Sequence, residues 1–297
     1  MNKLIKVAVI GSGNIGIDLC ERLLRDSRFE VVGLIGRRPD SEGLLRFNGQ
    51  IPFLLADSDK SLSQIIHRVD GIFDATSAFD HKTHWEIAKK SSKWAIDLTP
   101  SKIGQPISPI LSNRVSGMRI QSERAANYSM VTCGGQSSAP LLYAISRNVK
   151  KVLDVEISSS IASKSAGPAT RRNIDNYIYT TQSLAQQITD CSRAKAILVL
   201  NPAEPPVLMR TTVQALCEGI SIEEVDNTLK KLVVEMQHFI PGYKVTVGPL
   251  VSDQEVVTIT ALVEGAGYYL PKYAGNLDII NAAALETAFL HEKNWCN

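Results

Sequence analysis

The feature that most constrains the fold is a set of three glycines placed directly after a strand-like segment. Residues 6–10 read KVAVI, an apolar, β-branched run typical of a buried parallel strand. The sequence GSGNIG follows at once, and residues 17–24 then carry apolar side chains at helical spacing. A second strand-like run covers residues 29–35. This order of strand, glycine turn, helix and strand predicts a βαβ unit.

Further alternation of strands and helices extends this unit. Residues 71–76 and 93–98 are two more strand-like runs, and helical stretches separate the strands. Because parallel strands need crossover connections, the first half of the chain predicts an α/β fold built on a doubly wound parallel sheet.

Each glycine of the motif has its own physical task when a dinucleotide binds at such a turn. Gly11 allows the tight turn, Gly13 lets the backbone approach a pyrophosphate, and Gly16 lets the helix pack close to the strand. The N-terminus of the following helix offers free N–H groups and a partial positive charge to the phosphates. In this context the motif predicts a dinucleotide-binding domain.

The end of the second strand bears on which dinucleotide binds. NAD enzymes usually place an acidic residue there, about 20 positions after the glycines, to bind the ribose 2′-hydroxyl. Here Arg37 and Arg38 occupy that place, and Asp40 follows slightly later. Arginine suits a 2′-phosphate, so NAD and NADP are both candidate cofactors. The alternative interpretation is that the two arginines are simply solvated.

The second half of the chain has a different pattern. Its strand-like runs cover residues 152–161, 196–200 and 256–263. Ser221 and Glu224 have the spacing of a capping box, which predicts that a helix begins at residue 222. The small, polar segment 163–170 predicts a loop. Together these signals favour an α+β arrangement.

The two patterns predict two domains. Residues 1–131 form the dinucleotide-binding domain, and residues 132–276 form the α+β domain. An Ala-rich helix over residues 277–297 is expected to pack back on the first domain.

Composition and cysteine usage exclude several classes of function. Lys plus Arg is 32 and Asp plus Glu is 30, so the net charge of +2 gives no reason to expect nucleic acid or an anionic membrane as a partner. Charged residues interrupt every long apolar stretch, so no transmembrane helix is expected. The 5 cysteines are odd in number and none has CxxC spacing, which favours a reducing cytoplasm over a disulfide framework or a structural zinc site.

Cys133 lies between a β-type run and two glycines that lead into a helical stretch over residues 138–146. A thiol at a helix N-terminus has a lowered pKa and is nucleophilic. From the residue types alone, a buried structural cysteine fits the pattern better.

The five histidines match no motif. His81 and His84 are three residues apart, but two ligands do not make a metal site. We therefore expect both to lie at the surface, and no metal site is predicted.

Seven short stretches resemble, together and in order, the acylating acetaldehyde dehydrogenases of meta-cleavage pathways for aromatic compounds. They are IGSGNIG (residues 10–16), FDATSA (73–78), IDLTP (96–100), VTCGGQ (131–136), SKSAGPATR (163–171), NPAEPP (201–206) and YAGNLDI (273–279). The resemblance runs over nearly the whole chain. It implies a Rossmann-type doubly wound parallel sheet with an α+β catalytic and dimerisation domain.

This resemblance also implies a reaction: the chain oxidises a short aldehyde with NAD and passes the acyl group to coenzyme A. It implies that Cys133 forms the acyl-enzyme and that a homodimer docks onto a 4-hydroxy-2-oxovalerate aldolase. The cofactor-binding residues so predicted, with Arg38 added from the strand-end argument, are Gly11, Ser12, Gly13, Asn14, Ile15, Gly16, Arg38, Ser165, Ala166, Gly167, Pro168, Ala169, Thr170, Arg171, Arg172, Asn173 and Asn276.

Three features depart from that family. There, an acidic residue thought to activate the thiol follows the Met-Arg pair after NPAEPP, whereas Thr211 follows Arg210 here. A hydroxyl is not a base, and loss of a general base typically costs about 10²–10⁴-fold in rate. Arg38 stands where the family usually has an acidic residue, and the segment between Tyr243 and Glu264 is shorter by roughly one hairpin or strand length.

Two other functions stay open at this point. The departures favour a biosynthetic, NADP(H)-dependent acyl-thioester reductase or aldehyde dehydrogenase with another acyl carrier. Thr211 also favours a non-catalytic dinucleotide-binding regulator, whereas the retained VTCGGQ motif opposes it.

Overall fold

A computed structural model describes residues 4–55 and 58–296 of the chain. The chain divides into two compact units. Unit 1 consists of Met1–Pro109, Gly117–Met130 and Asn281–Asn297, and unit 2 consists of Ile110–Ser116 and Val131–Ile280.

Strands and helices alternate along most of the first half of the chain, whereas the second half has no regular alternation. The described strands are β1 (Ile5–Ile10), β2 (Phe29–Gly36), β3 (Phe53–Leu55), β4 (Gly71–Asp74), β5 (Trp94–Asp97), β6 (Gln105–Ile107), β7 (Asn127–Met130), β8 (Val149–Ala162), β9 (Arg193–Asn201), β10 (Met209–Ile220), β11 (Tyr243–Val251) and β12 (Val256–Val263). The described α-helices are α1 (Asn14–Leu23), α2 (Glu42–Arg46), α3 (Ser58–Ile65), α4 (Ala78–Lys90), α5 (Cys133–Ser146), α6 (Pro168–Arg172), α7 (Ile174–Thr189), α8 (Ile222–Phe239) and α9 (Gly275–Cys296).

Unit 1 is built on a parallel sheet with the strand order β3-β2-β1-β4-β5-β7-β6. Its central strands are apolar on both faces, and Val7, Ala8 and Val9 of β1 are fully buried. Such strands need helices on both sides of the sheet. The predicted doubly wound parallel sheet is therefore confirmed.

The strand order of unit 1 reverses at β1, since β2 lies on one side of it and β4 on the other. Ligands of doubly wound sheets bind at such a switch point, in the crevice beyond the carboxyl ends of the two strands. The glycine turn after β1 and the loop after β4 are the two segments that border this crevice.

The last helix contributes to unit 1 from Asn281 onward. Asn281 Nδ2 donates to Asp18 Oδ2 of α1 at 2.8 Å, and both side chains are buried. Trp94 Nε1 donates to Glu292 Oε1 at 2.7 Å. These polar contacts fix the rotation of α9 against the sheet of unit 1.

Unit 2 contains a mixed sheet with the order β11-β12-β10-β8-β9. Strands β8 and β9 are parallel, and the other neighbours are antiparallel. Helix α5 packs against α7, α8 and the sheet. The α+β arrangement predicted for this half is confirmed, although β10 and β11 were not predicted as strands.

Two local predictions in unit 2 need correction. The segment predicted as a loop contains a 3₁₀ turn at Ser163–Ser165 and the start of α6 at Pro168. Helix α8 begins at residue 222 as predicted, but the Ser221 side chain makes no capping hydrogen bond. The Ser221 N–H, which a capping box gives to Glu224, instead donates to the Asn148 carbonyl at 3.1 Å.

Within the described residues, no helix is long and apolar enough to cross a membrane.

Candidate active site

The glycine turn of unit 1 is closed by backbone contacts that exclude side chains. Gly11 has a φ of +110°, and a Cβ there would lie 2.6 Å from the Ala75 carbonyl oxygen. A Cβ on Gly16 would lie 1.9 Å from the Gly11 carbonyl oxygen. At Gly13, by contrast, a Cβ would meet nothing within 4 Å. The turn is thus tightly packed at Gly11 and Gly16 and open at Gly13, so a ligand can approach the backbone closely at Gly13.

A cavity of about 660 Å³ lies over this turn, bordered also by the end of β2 and the loop after β4. Five predicted cofactor residues line it, and they are Gly11, Ser12, Gly13, Asn14 and Arg38. Ile15 and Gly16 do not line it but belong to the first turn of α1, whose N-terminus opens at Gly13. A cavity of this size, floored by a helix N-terminus, fits an elongated anionic ligand.

Two carboxylates that the sequence analysis missed also line the cavity, Glu42 and Asp80. Asp40, the late acidic residue after β2, is exposed and does not line it. Glu42 is brought there because α2 approaches the turn closely: a Cβ on Gly43 would lie 2.7 Å from the Ser12 carbonyl oxygen. This approach between distant segments has no signal in the local sequence.

The prediction that His81 and His84 lie at the surface is wrong, since both are fully buried. Each donates through Nδ1 to the same oxygen, Asp74 Oδ2, at 2.8 Å and 2.7 Å. Asp74 ends β4, and the first turns of α4 return over it, so the i,i+3 face of the helix covers the carboxylate.

Two carboxylates flank the His81 ring in this buried cluster. His81 Nε2 lies 3.8 Å from Asp97 Oδ2, so its ring stands between two carboxylates. Burial opposes ionisation of Asp74, but hydrogen bonds with His81 and His84 outweigh it and lower the pKa of the Asp74 carboxyl. Burial likewise opposes protonation of His81, and its bond with Asp74 together with the Asp97 charge raises the pKa of this histidine. The structure therefore favours an ionised Asp74 beside a protonated His81.

The same carboxylate holds part of the cavity wall. Asp74 Oδ1 accepts from the Thr76 backbone N–H at 3.1 Å and from its hydroxyl at 2.5 Å. Thr76 lines the cavity. The cluster thus positions the loop after β4. Within the described residues, no three His, Cys, Asp or Glu side chains are grouped to hold a metal ion.

Cys133 is the first residue of α5 in unit 2, so this helix begins before the stretch predicted from residue 138, and the thiol lies at its N-terminus. Thr132 caps the helix, because its hydroxyl accepts from the Gly135 N–H at 2.9 Å. The half-buried thiol nevertheless has a pKa raised to about 11. Burial is the largest cause, and it outweighs the lowering by the Gly134 and Cys133 backbone N–H groups and by Tyr177. The expected lowering of the thiol pKa is therefore wrong for this state of the chain.

Two hydroxyls lie beside the first turn of α5, and a third is hydrogen-bonded to one of them. A Cβ on Gly134 would lie 2.0 Å from Tyr177 Oη and 2.7 Å from Ser159 Oγ. Ser159 and Thr211 are fully buried and hydrogen-bonded to each other at 3.2 Å across strands β8 and β10. Sequence analysis singled out Thr211 but not Ser159 or Tyr177, because only the strand register and the packing of α7 bring the three together.

The second predicted cofactor segment also lies in unit 2. Its residues Ser165, Ala166, Gly167, Pro168, Ala169, Thr170, Arg171, Arg172 and Asn173 cover the end of the 3₁₀ turn, α6 and the residue after it. Arg171 donates to the Ser163 and Ala166 carbonyl oxygens at 2.9 Å and 3.0 Å, so it braces this segment internally. Arg172 is exposed.

Asn276 lies beside this segment. Its Nδ2 donates to the Ser165 carbonyl oxygen at 3.5 Å, and the residue is buried. Its Oδ1 is buried without a hydrogen-bond partner among the described residues. A buried acceptor in that condition fits an amide or hydroxyl donor of a bound ligand.

Comparison with known proteins identifies the family. The acetaldehyde dehydrogenase of Pectobacterium atrosepticum is 41% identical over 288 residues, which are 96% of this chain and 95% of the relative. Acetaldehyde dehydrogenase from Geobacillus stearothermophilus is 40% identical over 286 residues, with 96% and 95% covered. The chain belongs to the acetaldehyde dehydrogenase family. The resemblance drawn from the seven motifs is thereby confirmed, and the chain is an oxidoreductase of the aldehyde dehydrogenase type.

Two further comparisons bear on the parts of this family member. A family model described as prokaryotic acetaldehyde dehydrogenase, dimerisation, matches residues 133–271, a segment that begins at Cys133 itself. Among solved structures, aspartate semialdehyde dehydrogenase II from Vibrio cholerae has a TM-score of 0.64 at 13% identity, covering 98% of this chain and 99% of that one. The latter likeness concerns the fold.

Proposed function

We propose that this chain oxidises a short aldehyde, acetaldehyde in the first instance, and transfers the acyl group from Cys133 to coenzyme A. The observation that carries the proposal is the thiol at the first position of α5, within a chain of this family. Unit 1 is proposed as the dinucleotide-binding domain, and unit 2 as the catalytic and dimerisation domain.

The nicotinamide cofactor is proposed to bind with its pyrophosphate over the glycine turn. Gly13 leaves room for the phosphates, and the N–H groups at the start of α1 point to that space. In unit 2, Asn276 Oδ1 has no hydrogen-bond partner among the described residues and is proposed as an acceptor for a ligand donor, in line with the cofactor contact that the family resemblance implies. When bound, the nicotinamide accepts the hydride that leaves the aldehyde carbon.

Cys133 carries the covalent part of the reaction. Its thiolate attacks the aldehyde carbon, the oxygen takes up a proton to give a thiohemiacetal, and loss of hydride from that carbon together with the hydroxyl proton leaves a thioester. The coenzyme A thiolate then attacks the thioester carbonyl, and the Cys133 thiolate leaves. The sum is aldehyde, oxidised dinucleotide and coenzyme A to acyl-CoA, reduced dinucleotide and a proton.

The resting thiol is poorly ionised for this task. With a pKa raised to about 11 by burial, the thiol is almost wholly protonated at pH 7. Thiolate formation therefore has to be favoured by a group beside the sulfur or by substrate binding. Backbone N–H groups at the start of α5 supply part of that help.

The direct test supplies acetaldehyde and either dinucleotide, with and without coenzyme A. We expect dinucleotide reduction that needs coenzyme A for continued turnover, and an acyl group on the Cys133 peptide when coenzyme A is withheld. Mass spectrometry of the digested protein locates this acyl group. Turnover with another acyl carrier would favour a biosynthetic reductase or dehydrogenase, and absence of reduction with both dinucleotides would favour a regulator.

Cofactor choice is proposed to depend on Arg38. Its guanidinium can pair with a ribose 2′-phosphate in bidentate fashion, and such bonds contribute about 1.5–3 kcal/mol each. We expect NADP to be used at least as well as NAD. Arg38→Asp should shift the ratio of the two kcat/KM values toward NAD by about ten- to a hundredfold.

Arg37→Asp is the matched control for this variant, since both arginines are exposed and line the cavity. Arg37→Asp changes the charge by the same amount one residue away, so it separates a general charge effect from a contact made by Arg38. A wild-type preference for NAD that Arg38→Asp leaves unmoved would show that Arg38 does not meet the ribose.

Assembly is proposed to follow the family pattern. A homodimer through unit 2 is supported by the dimerisation description of the matching family model. Docking onto a 4-hydroxy-2-oxovalerate aldolase, with a place in the catabolism of aromatic compounds in the cytoplasm, is proposed with it. Light scattering on the purified chain, alone and with such an aldolase, measures both associations.

A further inference from the structure

Tyr177 is a buried tyrosine whose hydroxyl has no hydrogen bond among the described residues. The side chain is 9% exposed. Its Oη is buried, and no neighbour meets the geometry of a hydrogen bond with it. The groups close enough to affect its pKa are the Cys133 thiol, the Ser159 hydroxyl and the Gly134 N–H. A hydroxyl left in this condition is costly, and such groups call for an explanation.

The placement of this hydroxyl is fixed by the fold of unit 2. The Tyr177 carbonyl accepts from the Thr181 hydroxyl at 2.8 Å, one turn further along α7. That same hydroxyl bonds the Thr132 hydroxyl at 2.7 Å, and Thr132 caps α5 directly before Cys133. Helix α7 is thus tied to the N-terminus of α5 by side-chain hydrogen bonds.

The backbone of α5 leaves room for the phenol. A Cβ at residue 134 would lie 2.0 Å from Tyr177 Oη, so the ring needs glycine at this position. A glycine in the first turn of a helix, next to the reactive cysteine, therefore has a specific use: it admits the hydroxyl to the side of the sulfur.

We propose that Tyr177 is a catalytic residue that donates a hydrogen bond to the Cys133 sulfur when the thiol ionises. The same bond stabilises the thiolate again when it leaves the thioester in the transfer to coenzyme A. The inference rests on the proposed function, because it assigns a second residue to that reaction.

The phenol is suited to donate and not to accept the proton. Burial is the largest cause that raises the Tyr177 pKa well above its ordinary value, and the neighbouring Cys133 adds to it. The hydroxyl therefore keeps its proton near neutral pH. A donor of this kind lowers the pKa of the thiol without taking up the thiol proton.

The surroundings of Cys133 offer few competitors for this role. Strands β8 and β10 present the uncharged hydroxyls of Ser159 and Thr211. Tyr243 on β11 is buried, and its hydroxyl donates to a carbonyl oxygen further along α5. Among the described residues, no charged side chain contributes to the shift of the Cys133 pKa, and Tyr177 is the side chain whose nearby hydroxyl lowers this pKa.

The test compares wild type with Tyr177→Phe, which keeps the ring and removes the donor. The rate of Cys133 alkylation by iodoacetamide is followed against pH by mass spectrometry of the Cys133 peptide. We expect alkylation at neutral pH to slow by about ten- to a hundredfold, with the profile displaced upward by about one to two pH units. The kcat of coenzyme A-dependent turnover should fall by a similar factor.

Tyr179→Phe is the matched control, two residues along the same helix, with a side chain that is 66% exposed. It should leave the alkylation profile and kcat unchanged. An unchanged profile in Tyr177→Phe would overturn the inference. If that variant does not fold, 3-fluorotyrosine is incorporated at position 177, which makes the phenol more acidic. The alkylation profile should then move to lower pH. An unmoved profile would again overturn the inference.

These measurements separate the inference from the proposed function. Alkylation needs neither aldehyde nor coenzyme A, so a displaced profile in a chain without turnover would support the Tyr177 contact and reject the proposed reaction. If the chain turns over and Tyr177→Phe changes neither the alkylation profile nor kcat, the proposed reaction is supported and the role of Tyr177 is rejected.

Discussion

Cys133→Ser is expected to lower kcat/KM for acetaldehyde by about 10⁴-fold or more, the size of loss seen when a covalent nucleophile is removed. A serine hydroxyl is far less acidic than a thiol, and the same burial that raises the Cys133 pKa would penalise an alkoxide further. No carboxylate is available at Thr211 to compensate. Steady-state rates of dinucleotide reduction measure the effect.

Cys191→Ser is a matched control for this substitution. Cys191 is also in unit 2 and is buried, and its thiol donates to the Arg193 carbonyl oxygen at 3.2 Å, a bond that a serine hydroxyl can keep. The control should retain wild-type turnover, and both variants should bind dinucleotide as wild type does. Ordinary activity in Cys133→Ser would reject the acyl-enzyme mechanism for this chain.

The structural features that were predicted correctly from the sequence are those set by residues close to one another along the chain. The strand, glycine turn and helix at the start of unit 1 depend on residues within about twenty positions of one another. Gly11 and Gly16 show why the motif is informative, because each excludes a Cβ by a backbone contact of its own. The same short-range reasoning offered a helix start as one interpretation of the Cys133 motif, because the β-type run and the glycines are adjacent to it in sequence.

The parts that escaped prediction depend on contacts between distant segments. Strand β10 alternates buried and exposed residues, but buried Thr211 among its polar neighbours hides the apolar period. The pairing of Thr211 with Ser159 follows from the register of β10 on β8. The burial of His81 and His84 follows from the way α4 returns over β4, and the raised pKa of Cys133 follows from packing that a helix-start motif does not report.

The histidine cluster of unit 1 leads to the largest expected change in stability. Asp74→Asn should lower the free energy of unfolding of unit 1 by about 3–5 kcal/mol, the usual cost of removing one partner of a buried ion pair. The substitution keeps the size of the side chain but leaves the His81 ring with the more distant Asp97 as its acidic neighbour. It also weakens the anchor of Thr76 in the cavity wall.

The pH dependence of this loss has a defined sign. The folded-state pKa of Asp74 is lowered, so its contribution to stability is present above about pH 4 and is lost as the pH falls further. The folded-state pKa of His81 is raised, so its contribution is complete below about pH 6.5 and is lost as the pH rises through the folded value. The difference between wild type and Asp74→Asn should therefore be greatest between about pH 4 and 6.5.

The difference in the free energy of unfolding between wild type and Asp74→Asn is measured by denaturant unfolding followed by tryptophan fluorescence. This signal reports on unit 1, because the 3 tryptophans, Trp85, Trp94 and Trp295, all belong to that unit. Curves at pH 5.5 and pH 9 should give a larger loss at the lower value. Glu86→Gln removes an exposed carboxylate from the same helix α4 and should change stability by less than about 0.5 kcal/mol at both pH values. A loss in Asp74→Asn that is equal at the two pH values would show that the charge of folded His81 does not change between them.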